Sequence, residues 1–296
     1  MHFWQSIFLC ESEQIFEVTR LCEQLGFEGV LVSDHLVHPE SQSSTYLYSA
    51  DGKPPSFTEG TAWPESWSLA AALAAQNPTL RFCTNVYILP LRHPVEVARA
   101  TSSVAYFCGG RLLLGAGAGW MKEEFDILGV DWESRGRRYD ECIEVIRKLY
   151  TGRYVEHHGE FFDFPRIMLN PVPAEPVPIL IGGTSGPALR RAARTGDGWL
   201  GPGQTLDAAL GTLAELRRLR AGYGTLNRPF NTIVPLYGEK ITPEVLSRLE
   251  DAGATGIVSL PFAFTLGPGT SLAEKRAYLE DYAENVMRKF TGKRAT

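Results

Sequence analysis

The sequence predicts a single (β/α)₈ barrel, a TIM-barrel architecture, over residues 1–296, because apolar strand-like runs alternate with helical patterns along the whole chain. Eight of these runs are strand-like, and eight strands, each followed by a helix, give such a barrel. The chain has 296 residues, of which 44% are hydrophobic, and this is ample for one sizeable core. Because no linker or internal repeat interrupts the alternation, we predict one domain.

Each predicted element follows from its own residue pattern. The predicted strands are residues 2–9, 27–35, 81–89, 111–117, 177–183, 196–201, 230–237 and 255–261. Helices are predicted for residues 94–107, 134–150, 205–221 and 271–290. Pro94 stands in a first helical turn, a position that favours proline. Tyr139, Cys142 and Ile146 fall on one face at helical spacing.

Two segments are longer than a minimal barrel needs. Residues 36–64 follow strand 2 and are rich in Ser, Pro, Gly and aromatic residues, and residues 151–176 precede strand 5. Connections of this length in a compact domain are usually functional lids or disordered segments. The first follows the C-terminal end of a strand, where barrel active sites form, and we predict that it is a substrate lid.

Composition and charge exclude several classes of partner. The net charge is −5 and no basic block is present, which argues against nucleic acid. No apolar run reaches about 18 residues, so no membrane span is predicted, and the N-terminus lacks the basic region of a signal peptide. The five cysteines are odd in number and form no CxxC pair, which indicates reduced thiols in a cytoplasmic protein.

Strand 2 ends in Ser33-Asp34-His35, which joins a carboxylate to a group that titrates near neutrality. His35 is therefore the candidate catalytic residue. The alternative is a histidine that caps the strand by bonding to the backbone. His38 follows three residues later, but without a third ligand in view we predict no metal site.

Strand 4 leads into "RLLLGAGAGW", where Gly115, Gly117 and Gly119 alternate before Trp120. A dinucleotide-binding fingerprint needs a glycine where Trp120 stands, so that interpretation fails. The missing side chains predict a flat floor against which a planar ring could lie. Tight packing at the barrel rim is the alternative interpretation.

Strand 5 leads into "IGGTSGPALRR", a turn followed by a helix that starts near Pro187. Gly182 and Gly183 let backbone N–H groups approach a ligand closely. The hydroxyls of Thr184 and Ser185 and the helix N-terminus suit an anion. The alternative is an ordinary capped turn between a strand and a helix.

Arg190 and Arg191 lie one turn into that helix. One of them could face a phosphate, or both could be solvated. The glycine-rich ends of strands 4 and 5 are adjacent in a barrel. Together they favour a large, flat, phosphate-bearing cofactor.

The run "GRLLLGAGAGWMKEEFDILGVDWESRGRRYDECIEVIRKLY" resembles the signature of the bacterial luciferase-like superfamily of flavin-type oxidoreductases. The runs "SDH", "LPLRHPVEVARA", "PVPILIGGTSGPALRRAARTGDGW" and "YLYSADGKPP" are also similar to that superfamily. The resemblance covers roughly residues 25–200. It implies a barrel that binds FMN or the deazaflavin coenzyme F-420, and it is strongest toward the F-420-dependent branch.

The resemblance also implies roles for individual residues. His35 matches a histidine near the reactive edge of the cofactor ring, and Asp34 matches its cofactor-contacting neighbour. The "TNV" of strand 3 matches a bulge behind the deazaflavin, which implies a cis peptide bond between Asn85 and Val86. The positions that match the cofactor-tail phosphate region are Gly182, Gly183 and Thr184. The matches at Arg135 and Arg138 are interpreted as structural.

Trp120 departs from one part of the resemblance. Sugar-phosphate dehydrogenases of the F-420 branch carry a glutamate there, which can serve as a proton donor. Trp120, together with the aromatic residues of the lid, indicates a more apolar substrate. Those lid residues are Tyr46, Tyr48, Phe57, Trp63 and Trp67, and we predict substrate contacts for Trp120, Tyr46, Tyr48 and Trp63.

These observations predict an F-420-dependent oxidoreductase that transfers a hydride to or from a small organic substrate. His35 would protonate or stabilise the developing anion, whereas His93, beside Pro94, is predicted to cap a helix. The alternatives are an FMN-dependent monooxygenase served by a partner flavin reductase and a flavin-binding barrel without catalysis. The family implies a homodimer.

Overall fold

The centre of the molecule is a closed barrel of eight parallel strands. The structure is a computed structural model that describes residues 1–46, 52 and 61–292. The barrel strands, numbered 1 to 8 in chain order, are His2–Ser6, Gly29–Val32, Arg81–Thr84, Leu112–Gly117, Ile179–Gly182, Gly198–Leu200, Asn231–Pro235 and Gly256–Ser259. Each strand pairs with the next along the chain, and the pairing of Gln5 with Ser259 joins strand 8 to strand 1. The predicted fold class is confirmed.

A helix follows every barrel strand, and two follow strand 4. The helices are Ile15–Leu25, Ser66–Gln76, Pro94–Phe107, Lys122–Leu128, Arg135–Leu149, Gly186–Thr195, Leu206–Gly222, Pro243–Asp251 and Leu272–Tyr282. The last continues through a wider π-helical stretch, Ala283–Arg288, although the sequence predicts one regular helix over 271–290. In the part of the chain that the structure describes, no helix is both long and apolar enough to cross a membrane.

The barrel interior is filled by one side chain from each strand. This layer consists of Trp4, Leu31, Cys83, Leu113, Leu180, Leu200, Ile233 and Val258. Neighbouring residues along the strands, such as Phe82 and Leu112, face outward and pack under the helices. Both faces of each strand are buried, which explains the continuous apolar runs. Because the interior is packed, a ligand cannot bind inside the barrel, and the active sites of such barrels lie at one end.

Strand 3 is shorter than predicted. The predicted strand over 81–89 stops at Thr84, and the peptide bond between Asn85 and Val86 is cis, as the resemblance implies. A two-residue strand, Tyr87–Ile88, follows and pairs with strand 4. The interruption places Val86 over the ends of the neighbouring strands.

The insertion at 151–176 contains an ordered β-hairpin. Val155–His158 pairs with Asp163–Ile167, and the hairpin lies outside the barrel against helix Arg135–Leu149. The expectation that so long a connection is a lid or disordered is wrong here. The insertion at 36–64 has neither helix nor strand in its described residues.

Candidate functional site

The candidate site lies at the barrel mouth, by which we mean the C-terminal ends of the strands. His35 follows strand 2 by three residues, and its side chain is 10% exposed. Its ring makes edge-to-face contacts with Trp63, at 4.9 Å between centroids, and with Trp120, at 5.7 Å. Three residues that the sequence predicts for the site are therefore brought together from the end of strand 2, from the insertion at 36–64 and from the loop after strand 4.

Glu124 also contacts His35, and the sequence reasoning missed it. Its Oε1 lies 3.3 Å from His35 Nδ1 and accepts the backbone N–H of Leu36 at 2.6 Å. The side chain of Glu124 is 1% exposed. An ionised carboxylate only accepts hydrogen bonds, so beside ionised Glu124 the proton of this contact is on Nδ1 of the imidazole. The sequence signal for Glu124 is the pair Glu123-Glu124 in the first turn of a helix. Acidic residues at that position are ordinarily explained by their favourable interaction with the helix dipole.

Glu123 anchors the first part of the insertion at 36–64, the segment that the sequence predicts to be a lid. Its Oε1 accepts hydrogen bonds from the backbone and hydroxyl of Ser43, at 2.6 and 2.8 Å, and its Oε2 accepts from the Ser44 hydroxyl at 2.6 Å. Desolvation alone would raise the pKa of Glu123, but hydrogen bonds from Ser44 and Ser43 outweigh it and lower the pKa to about 2. Glu124 and Glu123 thus hold the segment after strand 2 at two points, Leu36 and Ser43–Ser44.

The predicted substrate-contacting aromatic residues have different outcomes. Tyr46 packs edge-to-face on Trp120 at 5.0 Å, beside His35. Tyr48 and Phe57 lie outside the described residues. Trp67 is not part of the lid, since it belongs to helix Ser66–Gln76, is buried and packs on the ring of Tyr87. Whether Tyr46, Trp63 and Trp120 touch a substrate remains a prediction.

The Asp34 carboxylate is hydrogen-bonded to residues that follow strands 2 and 3. Its Oδ1 accepts from Arg92 at 3.1 Å and from the Ser66 hydroxyl at 3.4 Å, and its Oδ2 accepts the Ile88 N–H at 3.1 Å. Burial raises the pKa of the Asp34 carboxyl, and the charge of Arg92 opposes that shift. These contacts brace the end of strand 2 against the short strand Tyr87–Ile88. Cofactor contact by Asp34 remains a prediction.

The glycines after strand 4 do not leave an open floor. A Cβ atom added at Gly115 would lie 1.9 Å from the carbonyl oxygen of Thr84. Gly119 has φ +84°, and a Cβ atom there would lie 2.7 Å from the ring of Phe125. The flat-floor interpretation is therefore wrong at these two positions, and tight packing at the rim explains both glycines.

Gly117 and Gly182 make room for Val86. A Cβ atom added at Gly117 would lie 2.6 Å from Val86 Cγ2, and one added at Gly182 would lie 2.8 Å from Val86 Cγ1. The Val86 side chain therefore occupies the space beside both glycines, and that space is not open to a cofactor ring. Asn85 donates its N–H to Val32 at 2.7 Å, which ties the bulge to strand 2. Val86 is half-buried at the mouth, and contact of Asn85 and Val86 with a cofactor remains a prediction.

The turn after strand 5 is a helix start capped by Ser185, and phosphate binding there remains a prediction. Gly183 has φ +99°, a conformation that favours glycine, and its carbonyl accepts the Trp199 indole N–H at 2.8 Å. Thr184 is half-buried, and the Ser185 hydroxyl accepts the Ala188 N–H at 3.3 Å. The helix begins at Gly186, close to the predicted start near Pro187. The helix N-terminus, with its backbone N–H groups, is suited to a phosphate.

The two arginines of this helix have different surroundings. Arg191 is buried, and its Nε and Nη2 donate to Asp140 at 2.8 and 3.0 Å, so it joins two helices. Arg190 is exposed, and its Nη1 lies 3.1 Å from the position of a Cβ atom added at Gly186. Arg190 is therefore the one of the two that lies beside the helix N-terminus.

Three further residues have the structural roles that the sequence predicts. Arg135 stacks on Trp132, and Arg138 donates to the Pro90 carbonyl at 2.8 Å. The His93 Nδ1 accepts the Val95 N–H at 3.3 Å and caps its helix. Across the described ranges, no group of three or more His, Cys, Asp or Glu side chains is placed to hold a metal ion.

Two relatives are similar in sequence over much of the chain. The sequence model of the luciferase-like monooxygenase family matches residues 11–236. An uncharacterised protein of Mycobacterium tuberculosis is 39% identical over 275 residues, which are 92% of this chain and 94% of that protein. An F-420-dependent glucose-6-phosphate dehydrogenase of Beutenbergia cavernae is 32% identical over 206 residues, 67% of this chain and 56% of that protein.

Solved structures share the fold at low sequence identity. A monooxygenase from Streptomyces bottropensis has a TM-score of 0.74 and 18% identity, over 98% of this chain and 100% of that one. The coenzyme F-420-dependent tetrahydromethanopterin reductase from Methanopyrus kandleri also has a TM-score of 0.74, with 13% identity over 98% and 99% of the two chains. Because the family match spans most of the sequence and the barrel agrees with it, this chain belongs to the luciferase-like monooxygenase family.

Proposed function

We propose that this protein is an F-420-dependent oxidoreductase that transfers a hydride to or from a small, rather apolar organic substrate. The observation that carries the proposal is the arrangement at the barrel mouth. There the ring of His35 lies between two indoles, and the buried carboxylate of Glu124 contacts its Nδ1. An imidazole in this position is suited to general acid–base catalysis on a bound substrate.

The cofactor assignment rests on the ends of strands 3, 4 and 5. Val86 at the mouth and the turn at Gly183, with Arg190 beside the helix N-terminus, fit a planar ring that carries a phosphate tail. We prefer F-420 to FMN because a relative with 32% identity is named as F-420-dependent. Bound F-420 would supply the hydride, and the chain would supply orientation, water exclusion and the proton.

The substrate class rests on the aromatic surroundings of His35. Trp120 stands where the resemblance implies a glutamate in sugar-phosphate dehydrogenases. Its ring, with those of Trp63 and Tyr46, gives the His35 side of the mouth an apolar wall. This wall favours an apolar substrate, and it argues against the sugar phosphate named for the Beutenbergia cavernae relative.

In the proposed reaction, His35 protonates or stabilises the developing anion on the substrate, and Asp34 with Arg92 braces the end of strand 2 against the short strand Tyr87–Ile88. We further propose a cytoplasmic homodimer that depends on a separate F-420 or flavin reductase. All five cysteines are free thiols, and four of them are buried, which supports a reducing compartment.

The test is a binding titration of the purified, cofactor-free protein with F-420 and FMN side by side. We expect F-420 to bind at least about tenfold more tightly, which corresponds to about 1.4 kcal/mol. Equal affinity or a preference for FMN would overturn the assignment.

The second candidate, an FMN-dependent monooxygenase, is favoured by the family match and by the fold of the Streptomyces bottropensis enzyme. Preferential FMN binding would support it. A barrel without catalysis would bind a cofactor and transfer no hydride with any substrate.

A further inference from the structure

We propose that Glu124 is a positioning residue that fixes the orientation and the protonated nitrogen of His35. The proposal rests on the proposed function for the reaction it serves, but the pairing itself is a property of the protein alone. The Oε1 atom of Glu124 lies 3.3 Å from His35 Nδ1, and the two residues are 89 positions apart in the chain. The pair therefore joins the end of strand 2 to the first turn of the helix after strand 4.

One oxygen atom of Glu124 contacts both the His35 ring and the backbone that follows it. The same Oε1 accepts the backbone N–H of Leu36 at 2.6 Å, which fixes the chain immediately after His35. The side chain of Glu124 is 1% exposed, so the carboxylate sits in a medium where its charge acts strongly on the imidazole. An ionised carboxylate cannot donate, so beside ionised Glu124 the proton of this contact is on Nδ1.

The other charged groups near the pair already have partners. Asp34 is paired with Arg92 at 3.1 Å. Lys122 donates to Asp126 at 2.6 Å, and Glu123 is bound to the lid serines. Among these groups, Glu124 is the one whose carboxylate contacts the His35 ring. This is the arrangement in which a third group orients a proton-transferring histidine.

The experiment separates the charge of Glu124 from its hydrogen bond. Glu124→Gln keeps an oxygen that can accept from Leu36 and from Nδ1–H but removes the charge. Glu124→Ala removes both. Asp126→Asn is the matched control, because it removes one charge from an exposed position on the same short helix.

The first readout is ¹⁵N NMR of the His35 imidazole in protein without cofactor, with the signal assigned among six histidines by its absence in His35→Gln. We expect the Nδ1–H tautomer in the wild type, in Asp126→Asn and in Glu124→Gln, and a mixture of tautomers in Glu124→Ala. An unchanged tautomer in Glu124→Ala would overturn the proposal. Because no cofactor is present, this readout stands even if F-420 does not bind.

The second readout is single-turnover hydride transfer across pH. We expect Glu124→Gln to lose roughly tenfold to a hundredfold in rate and to shift the pH midpoint of the rate by about one unit. We also expect its F-420 affinity and its melting temperature to stay close to those of Asp126→Asn. A rate and pH midpoint equal to the control would overturn the proposal. Failure of the wild type to bind F-420 would instead refute the proposed function.

Discussion

Two of the histidine–glutamate pairs in this barrel have a largely buried histidine and lie in different surroundings. At the mouth, His35 Nδ1 is 3.3 Å from Glu124, and at the hairpin, His157 Nε2 is 3.1 Å from Glu141. Burial does not distinguish them, because the two histidine side chains are 10% and 5% exposed. The two pairs differ in the residues that surround them and in their location, since one lies at the barrel mouth and the other joins the hairpin to a helix.

The hairpin pair is a structural staple. Glu141 accepts the backbone N–H groups of Phe161 and Phe162, at 3.0 and 2.8 Å, as well as His157. The other ring nitrogen of His157 lies 3.0 Å from the Lys148 ammonium, so both nitrogens are held by protein groups. The pair joins the hairpin to helix Arg135–Leu149.

The hairpin pair lies in the wall of a groove that differs from the barrel mouth. A groove of about 790 Å³, which we call the outer groove, is lined by residues that include Glu141, Arg147, His157 and Asp197. Its charges are largely paired within the wall, as in the contact of Arg147 with Asp197 at 2.8 Å. The mouth instead offers a histidine among indoles beside a glycine turn. We therefore propose the chemistry at the mouth because of its location, whereas a histidine–glutamate pair alone indicates only an ordered contact.

The largest expected effect separates the two histidines by activity. His35→Ala should lose about 10²–10⁴ in hydride-transfer rate, because a general acid–base group is removed, while F-420 affinity changes by less than about tenfold. His157→Ala is the matched control and should keep the wild-type rate. Single-turnover measurements check this. A His35→Ala rate near that of the wild type would remove His35 from the mechanism, and loss of cofactor would make it a binding residue.

A second prediction concerns the turn that would hold the cofactor tail. Gly183→Val should weaken cofactor binding by about 3 kcal/mol, because a branched side chain at φ +99° distorts the turn and blocks approach to its N–H groups. Gly224→Val is the control, since Gly224 has φ +67° with open space around it at a helix end far from the mouth. The measurement is a cofactor titration. Normal binding by Gly183→Val would make the turn an ordinary connection.

A third prediction tests the staple by stability. Glu141→Ala should lower the free energy of unfolding by about 3 kcal/mol, because it leaves backbone donors of the hairpin without their acceptor. Glu144→Ala, an exposed neighbour on the same helix, should cost less than about 1 kcal/mol. Urea denaturation measures both. Hydride transfer should survive in either variant, and its loss in Glu141→Ala would give the hairpin a role at the mouth.

The staple should also respond to pH. Burial alone would raise the pKa of Glu141, but the hydrogen bonds from Phe162 and His157 outweigh it and lower the pKa. Stability from Glu141 is therefore complete above its unfolded pKa, about 4.5, and is lost as pH falls through the lower folded value. Glu141→Ala should remove this part of the pH dependence.

The smallest effect is expected at the lid. Glu123→Gln should weaken the attachment of Ser43 and Ser44 and raise KM by roughly threefold to tenfold, with little change in kcat. In the wild type this attachment should persist above pH 4.5 and fail only as pH approaches about 2, where Glu123 becomes protonated. Steady-state kinetics and limited proteolysis after residue 36 check it. A large loss of kcat would place Glu123 in the chemistry.

The sequence predicts the barrel well because periodicity and strand-end glycines are local signals. Helix 94–107 and the turn at Gly183 are both found where the residue patterns place them. The partner of His35 could not be predicted in this way, because Glu124 reaches it only when the barrel closes. Nor does a glycine reveal what occupies the space of its missing side chain. At Gly117 that neighbour is Val86, and at Gly115 it is a carbonyl of strand 3.

The central claim is that the mouth around His35, and not the outer groove around His157, is where the cofactor and substrate meet. The most direct measurement is a crystal structure of the protein with F-420 bound. We predict that the deazaflavin ring lies at the mouth beside Val86, with its phosphate at the turn of Gly183. The His35 ring should then come within hydrogen-bond reach, about 3 Å, of a substrate placed over the reactive ring edge. Cofactor in the outer groove, or bound at the mouth with His35 out of reach, would contradict the claim.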